Sequence, residues 1–371
     1  MKQKRGKAAW AIRLAGVFLV GVAGTSFASD AGLERIRVDG EGSGFVLAES
    51  GTPFALWGVN YDRDFTLRLL EEYWIDEWDV VVEHFGQMRE LGANAVRIHL
   101  QLEAFMTDPE TPNRESLERL AKLVALAGDI GLYLNITGLG CYHKDAVPDW
   151  YDAMDETERW KVQARFWEAV ARTCAGNPAV FCYNLMNEPV ITEGEEWLPG
   201  DGLAGKHYVQ RITRDLAGRQ REEIADAWAG KLVEAIRRHD PETLVTVGVI
   251  PWAHVWPNAR PIFYSERVKR HFDFASVHFY PRSGEIDEAL EALAVYRVGI
   301  PLVIEEMGPL HCSLQELAEF VERSRDMAQG WFGFYWGRTI EEYREEPDDL
   351  HSAYMAQWLT YFRDTAPSRE P

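Results

Sequence analysis

The strongest constraint on the fold is a regular alternation of short apolar runs with segments of helical period. Eight runs rich in β-branched and aromatic residues lie at 55–60, 93–99, 132–138, 180–187, 243–250, 274–280, 301–306 and 331–336. Runs of this length and composition predict strands, and the helical segments between them predict parallel pairing. Eight such units predict an α/β fold, the closed (β/α)8 TIM barrel.

The connecting segments carry the expected helical pattern. Amphipathic helices are predicted at 77–91, 116–127, 158–174, 225–238, 288–296 and 313–327. Ser313 and Glu316 form a capping box at the start of the last one. An open doubly wound sheet is the alternative fold, but no glycine-rich phosphate turn follows the first run. Residues 34–50 predict a short N-terminal β-hairpin that closes the lower end of the barrel.

The first residues of the chain have the pattern of an export signal. Five basic residues are followed by an apolar run at 14–23 and by small residues at Ser26 and Ala28. This order is typical of a secretory signal peptide, and the run is much shorter than the ~20 apolar residues of a membrane-spanning helix. We therefore expect a signal peptide at 1–28, a single barrel domain at 29–371, and a secreted or periplasmic product.

Charge and cysteine content exclude several classes of function. The chain has 39 Lys and Arg against 59 Asp and Glu, a formal net charge of −20. So acidic a surface repels nucleic-acid backbones and anionic lipids, so we expect neither nucleic-acid nor membrane partners. The four cysteines show no metal-binding spacing, and we expect no metal and no cofactor. They form disulfides in one of three pairings or remain buried thiols: Cys141, Cys174, Cys182 and Cys312.

Polar side chains stand where five of the eight predicted strands end. These ends carry Arg97 and His99, Asn187 and Glu188, His278 and Tyr280, Glu305 and Glu306, and Trp336. Catalytic groups of a (β/α)8 barrel sit at the C-terminal ends of its strands, where the loops open. Carboxylates after an apolar strand are costly unless they are paired or functional. The pattern therefore predicts an active site at this end.

Glu188 and Glu306 end the fourth and seventh predicted strands and so face the same barrel mouth. Two carboxylates at about 5–5.5 Å are the groups of a retaining glycosidase, in which one attacks the anomeric carbon and the other protonates the leaving oxygen. Repulsion between two such carboxylates keeps a proton on the pair. Because strand side chains alternate, we expect only one of Glu305 and Glu306 to face the barrel axis.

Three motifs carry a family resemblance: Asn-Glu-Pro at 187–189, His-Phe-Tyr at 278–280 and Ile-Glu-Glu-Met-Gly at 304–308. With them, residues 54–336 resemble the glycoside hydrolase clan A barrels, most closely glycoside hydrolase family 5. The resemblance implies that Glu188 is the acid/base and Glu306 the nucleophile. It further implies that Asn187 holds the sugar 2-hydroxyl, Arg97 and Tyr280 steady the nucleophile, His278 supports the site and Trp336 forms a stacking floor.

The sequence departs from the family pattern at the end of the third strand. The family has a histidine there, and this chain has Thr137. Either His143, from the following loop, or His99, two residues after Arg97, is expected to replace it. We count His99 among the substrate-binding residues.

The resemblance implies a β-linked glucan- or mannan-type poly- or oligosaccharide as the substrate, hydrolysed by double displacement. A carbohydrate-binding barrel without catalysis and a transglycosylase using the same glutamates are the alternatives. A metal-dependent hydrolase is a third, although no closely spaced histidine motif is present. Aromatic residues in the predicted mouth loops suit sugar rings or pack the loops: Tyr73, Trp74, Trp150, Trp197, Trp252 and Trp256. A long loop after the fourth strand would favour exo action if it closes one end of the cleft.

Overall fold

The computed structural model describes residues 32–200, 202, 205–346 and 349–367. The predicted signal peptide at 1–28 lies outside these residues. Within the described part of the chain, no helix is both long enough and apolar enough to cross a membrane.

Eight parallel strands close into a barrel, which confirms the predicted fold. In chain order these barrel strands one to eight are β4 (Leu56–Tyr61), β5 (Ala95–Gln101), β6 (Tyr133–Gly140), β7 (Val180–Asn187), β10 (Leu244–Val249), β11 (Ala275–His278), β12 (Leu302–Met307) and β13 (Gly330–Gly333). Each strand pairs with the next, and strand eight pairs with strand one. The strands are almost completely buried, as both faces of a barrel strand are covered.

Helices follow the strands on the outside. They are α1 (Trp78–Glu90), α2 (Leu102–Phe105), α3 (Arg114–Ile130), α4 (Asp149–Asp152), α5 (Glu156–Cys174), α6 (Arg221–Arg237), α7 (Trp252–Val255), α8 (Ile286–Ala294), α9 (Leu314–Ser324), α10 (Ile340–Arg344) and α11 (Leu350–Thr365). The capping box at Ser313 is present, with its hydroxyl accepting from the Glu316 amide. All six predicted helices form, with ends displaced by a few residues.

The predicted N-terminal hairpin forms and gains a third strand. β1 (Ile36–Val38), β2 (Phe45–Leu47) and β3 (Pro53–Phe54) make a small antiparallel sheet. Phe45 is buried against Phe181 and Phe274, which lie near the N-terminal ends of barrel strands four and six. The sheet therefore closes the lower barrel end with an apolar cluster, opposite the predicted active site.

The short helices α2, α4, α7 and α10 were not predicted, and neither were two larger features. The segment after barrel strand four contains β8 (Pro189–Ile191) and β9 (Gln210–Thr213), which pair in parallel. After the barrel, α11 packs on strand one, where Trp57 Nε1 donates to the Phe362 carbonyl at 2.9 Å.

The cysteine question is settled in favour of thiols. All four cysteines are unpaired; Cys141, Cys174 and Cys182 are buried, and Cys312 is half-buried. Burial raises the pKa of each thiol, so all four are protonated near neutral pH.

Candidate active site

Arg97 lies at the centre of a polar cluster at the C-terminal end of the barrel. Its side chain, on barrel strand two, is completely buried. The guanidinium donates to Glu306 Oε1 at 2.6 Å, Asn187 Oδ1 at 2.7 Å, Asn60 Oδ1 at 2.9 Å and Thr137 Oγ1 at 3.0 Å. A buried charge is tolerated when it is paired and fully hydrogen-bonded. Arg97 thereby holds together side chains from strands one, three, four and seven.

Glu306 is held by donors on both oxygens. Besides the Arg97 bond on Oε1, Oε2 accepts from the Tyr280 hydroxyl at 2.9 Å. Burial alone would raise the pKa of Glu306, but His278, Arg97 and Tyr280 favour the charged form and lower it below its usual value. Burial raises the pKa of Tyr280 well above normal, so this hydroxyl keeps its proton and donates. Glu306 is therefore an oriented, ionised carboxylate.

Glu188 directly follows barrel strand four in an unusual backbone conformation. Its φ of 46° is left-handed, which is uncommon for a residue with a Cβ and persists where neighbouring contacts fix it. Here the Glu188 amide donates to the Gly248 carbonyl at 3.0 Å. His278 Nδ1 lies 2.8 Å from Glu188 Oε1 and 3.4 Å from Glu306 Oε1. The turn thus brings Glu188 to the same histidine that borders Glu306.

Glu188, His278 and Glu306 come together as one trio. A carboxylate oxygen of each glutamate and a ring nitrogen of His278 all lie within 4.8 Å of one another; among the described residues, no other acidic, histidine and cysteine side chains meet in this way. A cation here would be repelled by the Arg97 guanidinium, which already occupies Glu306 Oε1. The donor set therefore suits proton transfer and nucleophilic attack better than metal binding. Carboxylates with one oxygen each within 4.8 Å of the other are compatible with the ~5–5.5 Å separation typical of retaining glycosidases.

The expectation that only one of Glu305 and Glu306 faces the barrel interior is wrong. Val277 pairs with Ile304, but the next residue, His278, pairs with Glu306, so β12 carries one extra residue at this point. Such a bulge breaks the alternation of side chains along a strand. Glu306 therefore reaches the mouth, while Glu305 lies completely buried beneath it.

Glu305 is the centre of a second polar layer below the carboxylate pair. Its oxygens accept from Asn135 Nδ2 at 2.6 Å and Asn184 Nδ2 at 2.7 Å, and Arg97 Nε lies 3.8 Å away. Only a glycine fits at position 248 beside this layer, because a Cβ there would lie 2.6 Å from His278 Nε2 and 2.8 Å from Glu305 Oε2. The buried layer supports the histidine and the arginine from below.

The two histidines that were expected to replace the missing one lie in different places. Thr137 accepts from Arg97 Nε, and His99 pairs with it across strands two and three. The His99 ring is hydrogen-bonded through Nδ1 to the Tyr142 hydroxyl. His143 instead lies at the rim, with Nε2 3.7 Å from a Glu72 oxygen. Of the two candidates, His99 is the one beside the cluster.

Trp336 does not form the predicted stacking floor. Barrel strand eight ends at Gly333, three residues before Trp336, and the indole is 1% exposed. It packs against Tyr61 and His84 on the outer side of the barrel. The half-buried Phe334 lies beside Tyr280 instead, with ring centroids 6.3 Å apart. The apolar run at 331–336 extends beyond the end of the strand at Gly333. The prediction therefore placed Trp336 at the barrel mouth, although it lies outside.

The aromatic residues predicted in the mouth loops include three that are buried and a stacked pair that is partly exposed. Tyr73, Trp74 and Trp197 are buried and pack the loops. Trp252 and Trp256 stack with centroids 5.1 Å apart, and Trp256 is 58% exposed. This pair borders a cavity of about 380 Å³, and Pro189, the residue after Glu188, also lines it.

Several residues of the cluster were missed. They are Asn60, Asp62, Arg63, Asn135, Tyr142, Asn184 and Tyr208. Asn60, Asn135 and Asn184 were visible as polar residues inside apolar strands, a pattern that indicates inward-facing hydrogen bonding. Tyr142 and Tyr208 lie in loops, where no periodicity marks their position.

Known proteins resemble this chain in sequence pattern and fold. The family model described as cellulase, glycosyl hydrolase family 5, matches residues 47–339. No curated protein is similar to the chain by sequence. Among solved structures, an exo-β-1,4-mannosidase from Opitutaceae bacterium strain TAV5 has a TM-score of 0.63 at 16% identity over 89% of this chain; the match spans 61% of the mannosidase.

Two further structures match over nearly their whole length. The catalytic domain of an endoglucanase from Thermobifida fusca has a TM-score of 0.58 at 16% identity, covering 90% of this chain and 97% of that one. A β-1,4-mannanase from the sea hare Aplysia kurodai has a TM-score of 0.58 at 14% identity, covering 91% of this chain and 100% of the mannanase. At these identities the structural likeness concerns the fold.

Proposed function

We propose that this chain, which belongs to glycosyl hydrolase family 5 and is an O-glycosyl hydrolase, cleaves β-linked glucan- or mannan-type saccharides by retaining double displacement. The observation that carries the mechanism is that one carboxylate oxygen of Glu188 and one of Glu306 lie within 4.8 Å of each other. At that spacing no room remains for a water molecule between the sugar and the second carboxylate, so that carboxylate itself attacks.

Glu306 is the nucleophile. Its ionised carboxylate attacks the anomeric carbon, the bond from that carbon to the leaving oxygen breaks, and a glycosyl ester forms on Glu306. Arg97 and Tyr280 orient the two oxygens and stabilise their charge before attack. Glu306 loses its negative charge when the glycosyl ester forms and regains it when water cleaves the ester. The same donors stabilise the carboxylate released in that second step.

Glu188 is the acid and then the base. His278 Nδ1 lies at one of its oxygens, Oε1, while Oε2 has no donor among the described residues and is available to carry the transferred proton. Glu188 gives this proton to the leaving oxygen, and then takes a proton from the water that attacks the glycosyl ester. The cycle returns both glutamates to their starting states, and the product keeps the β configuration.

Asn187 positions the reacting sugar. Its Oδ1 is held by Arg97, and Nδ2 donates to the Tyr208 carbonyl at 3.0 Å. The amide nitrogen has a second hydrogen, which is directed to the sugar 2-hydroxyl. A bond to this hydroxyl contributes most in the transition state.

The substrate class rests on the family and on charge. Family 5 membership and the mannanase and cellulase folds support a β-glucan or β-mannan. The net charge of −20 favours neutral glycans over strongly anionic ones. The basic and apolar leader supports export to the medium or periplasm, where such polymers are found.

The test is product analysis of wild-type enzyme and Glu306→Ala on neutral β-glucans, β-mannans and aryl β-glycosides. We expect hydrolysis of one member, a loss of roughly a thousandfold or more in Glu306→Ala, and an α-glycosyl azide when azide is added to the variant. Proton NMR of the first product should show the β anomer. An initial α anomer from the wild-type enzyme would contradict the retaining mechanism.

A further inference from the structure

The loop after barrel strand four contacts the loop that follows barrel strand one. We call residues 189–200, 202 and 205–213 the strand-four loop. In it, Lys206 Nζ donates to the Leu67 carbonyl at 2.7 Å, and the Tyr208 hydroxyl accepts from Arg63 Nη1 at 2.7 Å. The Tyr208 ring lies 4.6 Å from that of Tyr142, which follows strand three. Strands one to four are consecutive in the barrel, so the loop forms a wall along the ends of strands one to three.

Three buried polar atoms behind this wall lack a partner in the described protein. They are Asp62 Oδ1, Arg63 Nε and His99 Nε2. Their side chains are buried, with residue exposures of 0%, 3% and 2%. An unpaired buried polar group costs free energy, and three such atoms at the ends of two adjacent strands indicate a site that a ligand completes.

The hydrogen-bonding character of these atoms follows from their neighbours. Burial and Arg97 lower the pKa of His99 well below its usual value, so the ring is neutral. Burial keeps Tyr142 protonated, and its hydroxyl donates to His99 Nδ1, which leaves the ring proton on Nε2. Behind the wall there are thus two donors, His99 Nε2 and Arg63 Nε, and one acceptor, Asp62 Oδ1.

Charge balance selects hydroxyl groups as the ligand. Asp62 Oδ2 accepts from Arg63 Nη1 at 2.9 Å, so the two charges compensate each other. A sugar carboxylate would meet Asp62, and a sugar amine would meet Arg63. Neighbouring hydroxyls, each able both to donate and to accept, match this set.

A cavity borders the C-terminal ends of barrel strands four and five. Pro189, directly after the acid/base Glu188, borders the cavity of about 380 Å³ beside Trp252 and the exposed Trp256. A leaving group protonated by Glu188 departs toward this side. An exposed indole face suits the apolar face of a further sugar ring.

We propose that the enzyme is exo-acting, with Asp62, Arg63 and His99 binding the hydroxyls of the sugar at the non-reducing end. The strand-four loop blocks the chain beyond that sugar, and the rest of the saccharide extends past Trp256. This inference rests on the proposed function and specifies how the same site selects its substrate. One monosaccharide is released per cycle: water supplies its anomeric oxygen, and the leaving chain takes a proton from Glu188.

Product ladders test the direction of attack. Oligosaccharides labelled at the reducing end are expected to shorten by one unit at a time, and a block on the non-reducing terminal hydroxyls should prevent hydrolysis. Labelled fragments of mixed length from the earliest times, lost in Glu306→Ala, would overturn exo action while leaving the proposed function intact. A wild-type enzyme that hydrolyses no β-glycoside would refute the proposed function, and this inference with it.

Asp62→Asn tests the binding residue itself. Its kcat/KM on aryl β-glycosides is expected to fall about 10- to 100-fold, the loss of one hydrogen bond to a charged group. The decisive comparison uses glycosides with a single hydroxyl replaced by hydrogen. Wild type should discriminate strongly against one of them, and Asp62→Asn should discriminate much less against the same one.

Asp64→Asn is the matched control. Asp64 lies on the same loop as Asp62, directly after barrel strand one. Unlike Asp62, it has protein donors to both of its oxygens, Thr66 Oγ1 at 2.8 Å and Arg68 Nε at 2.8 Å. The Asp64→Asn substitution should lower thermal stability and keep the wild-type discrimination among deoxy substrates. An equal loss on every substrate in Asp62→Asn, with discrimination unchanged, would show a structural role and overturn the proposal.

Discussion

At the scale of single residues, the two adjacent glutamates of β12 differ through their surroundings. Glu306 reaches the mouth beside Tyr280, whereas Glu305 is completely buried and bonded to Asn135 and Asn184. Both are carboxylates of the same length, next to each other in sequence. A bulge in β12 separates their roles, because it gives each side chain its own depth in the barrel.

Glu305→Gln and Glu306→Gln are expected to differ in their effect on catalysis. Glu306→Gln should lower kcat roughly a thousandfold or more, and it should also lower stability, because it removes the closest counter-charge of the buried Arg97. Glu305→Gln should destabilise the fold by about 2–4 kcal/mol, because Arg97 loses a buried counter-charge and an amide group faces an asparagine donor. Its kcat should fall much less. Chemical denaturation and steady-state kinetics on both variants provide the check, and equal kcat losses would contradict the nucleophile assignment.

At the scale of elements, one end of the barrel contributes to stability and the other holds the candidate active site. The lower end is an apolar cluster under the small antiparallel sheet, and the upper end holds the polar groups. Phe45 contacts Phe181 and Phe274 edge-on, at centroid distances of 5.4 and 5.5 Å. The sheet therefore contributes to stability without touching the candidate active site.

Phe45→Ala is expected to lower the free energy of unfolding by about 3–5 kcal/mol, through lost burial and the cavity left behind. The kcat/KM of the folded enzyme should stay unchanged, because Phe45 lies at the opposite end of the barrel. Phe45→Leu is the control and should cost less than half as much. Urea denaturation gives the free energies, and an activity loss in the folded variant would contradict this separation.

At the scale of the whole molecule, half-buried acids near the mouth make stability depend on pH. Burial raises the pKa of Glu71 to about 8 and that of Glu103 to about 7. A carboxyl group with a raised pKa binds its proton more tightly in the folded state. Between about pH 4.5 and these values the unfolded chain loses the proton first, so stability falls as pH rises.

Glu71→Gln is expected to reduce this fall and to raise the melting temperature at pH 8 relative to wild type. Glu71 Oε1 accepts from the Gln101 amide at 2.7 Å, a bond that glutamine keeps, while the charge that burial penalises is removed. The gain should shrink toward pH 4.5, where wild-type Glu71 is protonated in the folded state and about half protonated in the unfolded state. Thermal unfolding from pH 4.5 to 8.5 measures it, and a gain equal at all pH values would contradict the assignment.

The sequence by itself determined the barrel and the two carboxylates. Apolar runs and helical periods are local patterns, so they predicted all eight strands, the main helices between them and the strand ends at Glu188 and Glu306. Inward-facing asparagines such as Asn135 also carried a local signal, although it was not used.

Tertiary structure decided what depends on register and on loops. A one-residue bulge, invisible to strand alternation, placed Glu305 and Glu306 at different depths. Barrel strand eight ended at Gly333, so Trp336 packed outside and Phe334 took the place beside Tyr280. The wall of the strand-four loop and the unpaired atoms behind it join segments far apart in the chain. Such contacts form only when the barrel closes, because no local propensity specifies which loops meet across its mouth.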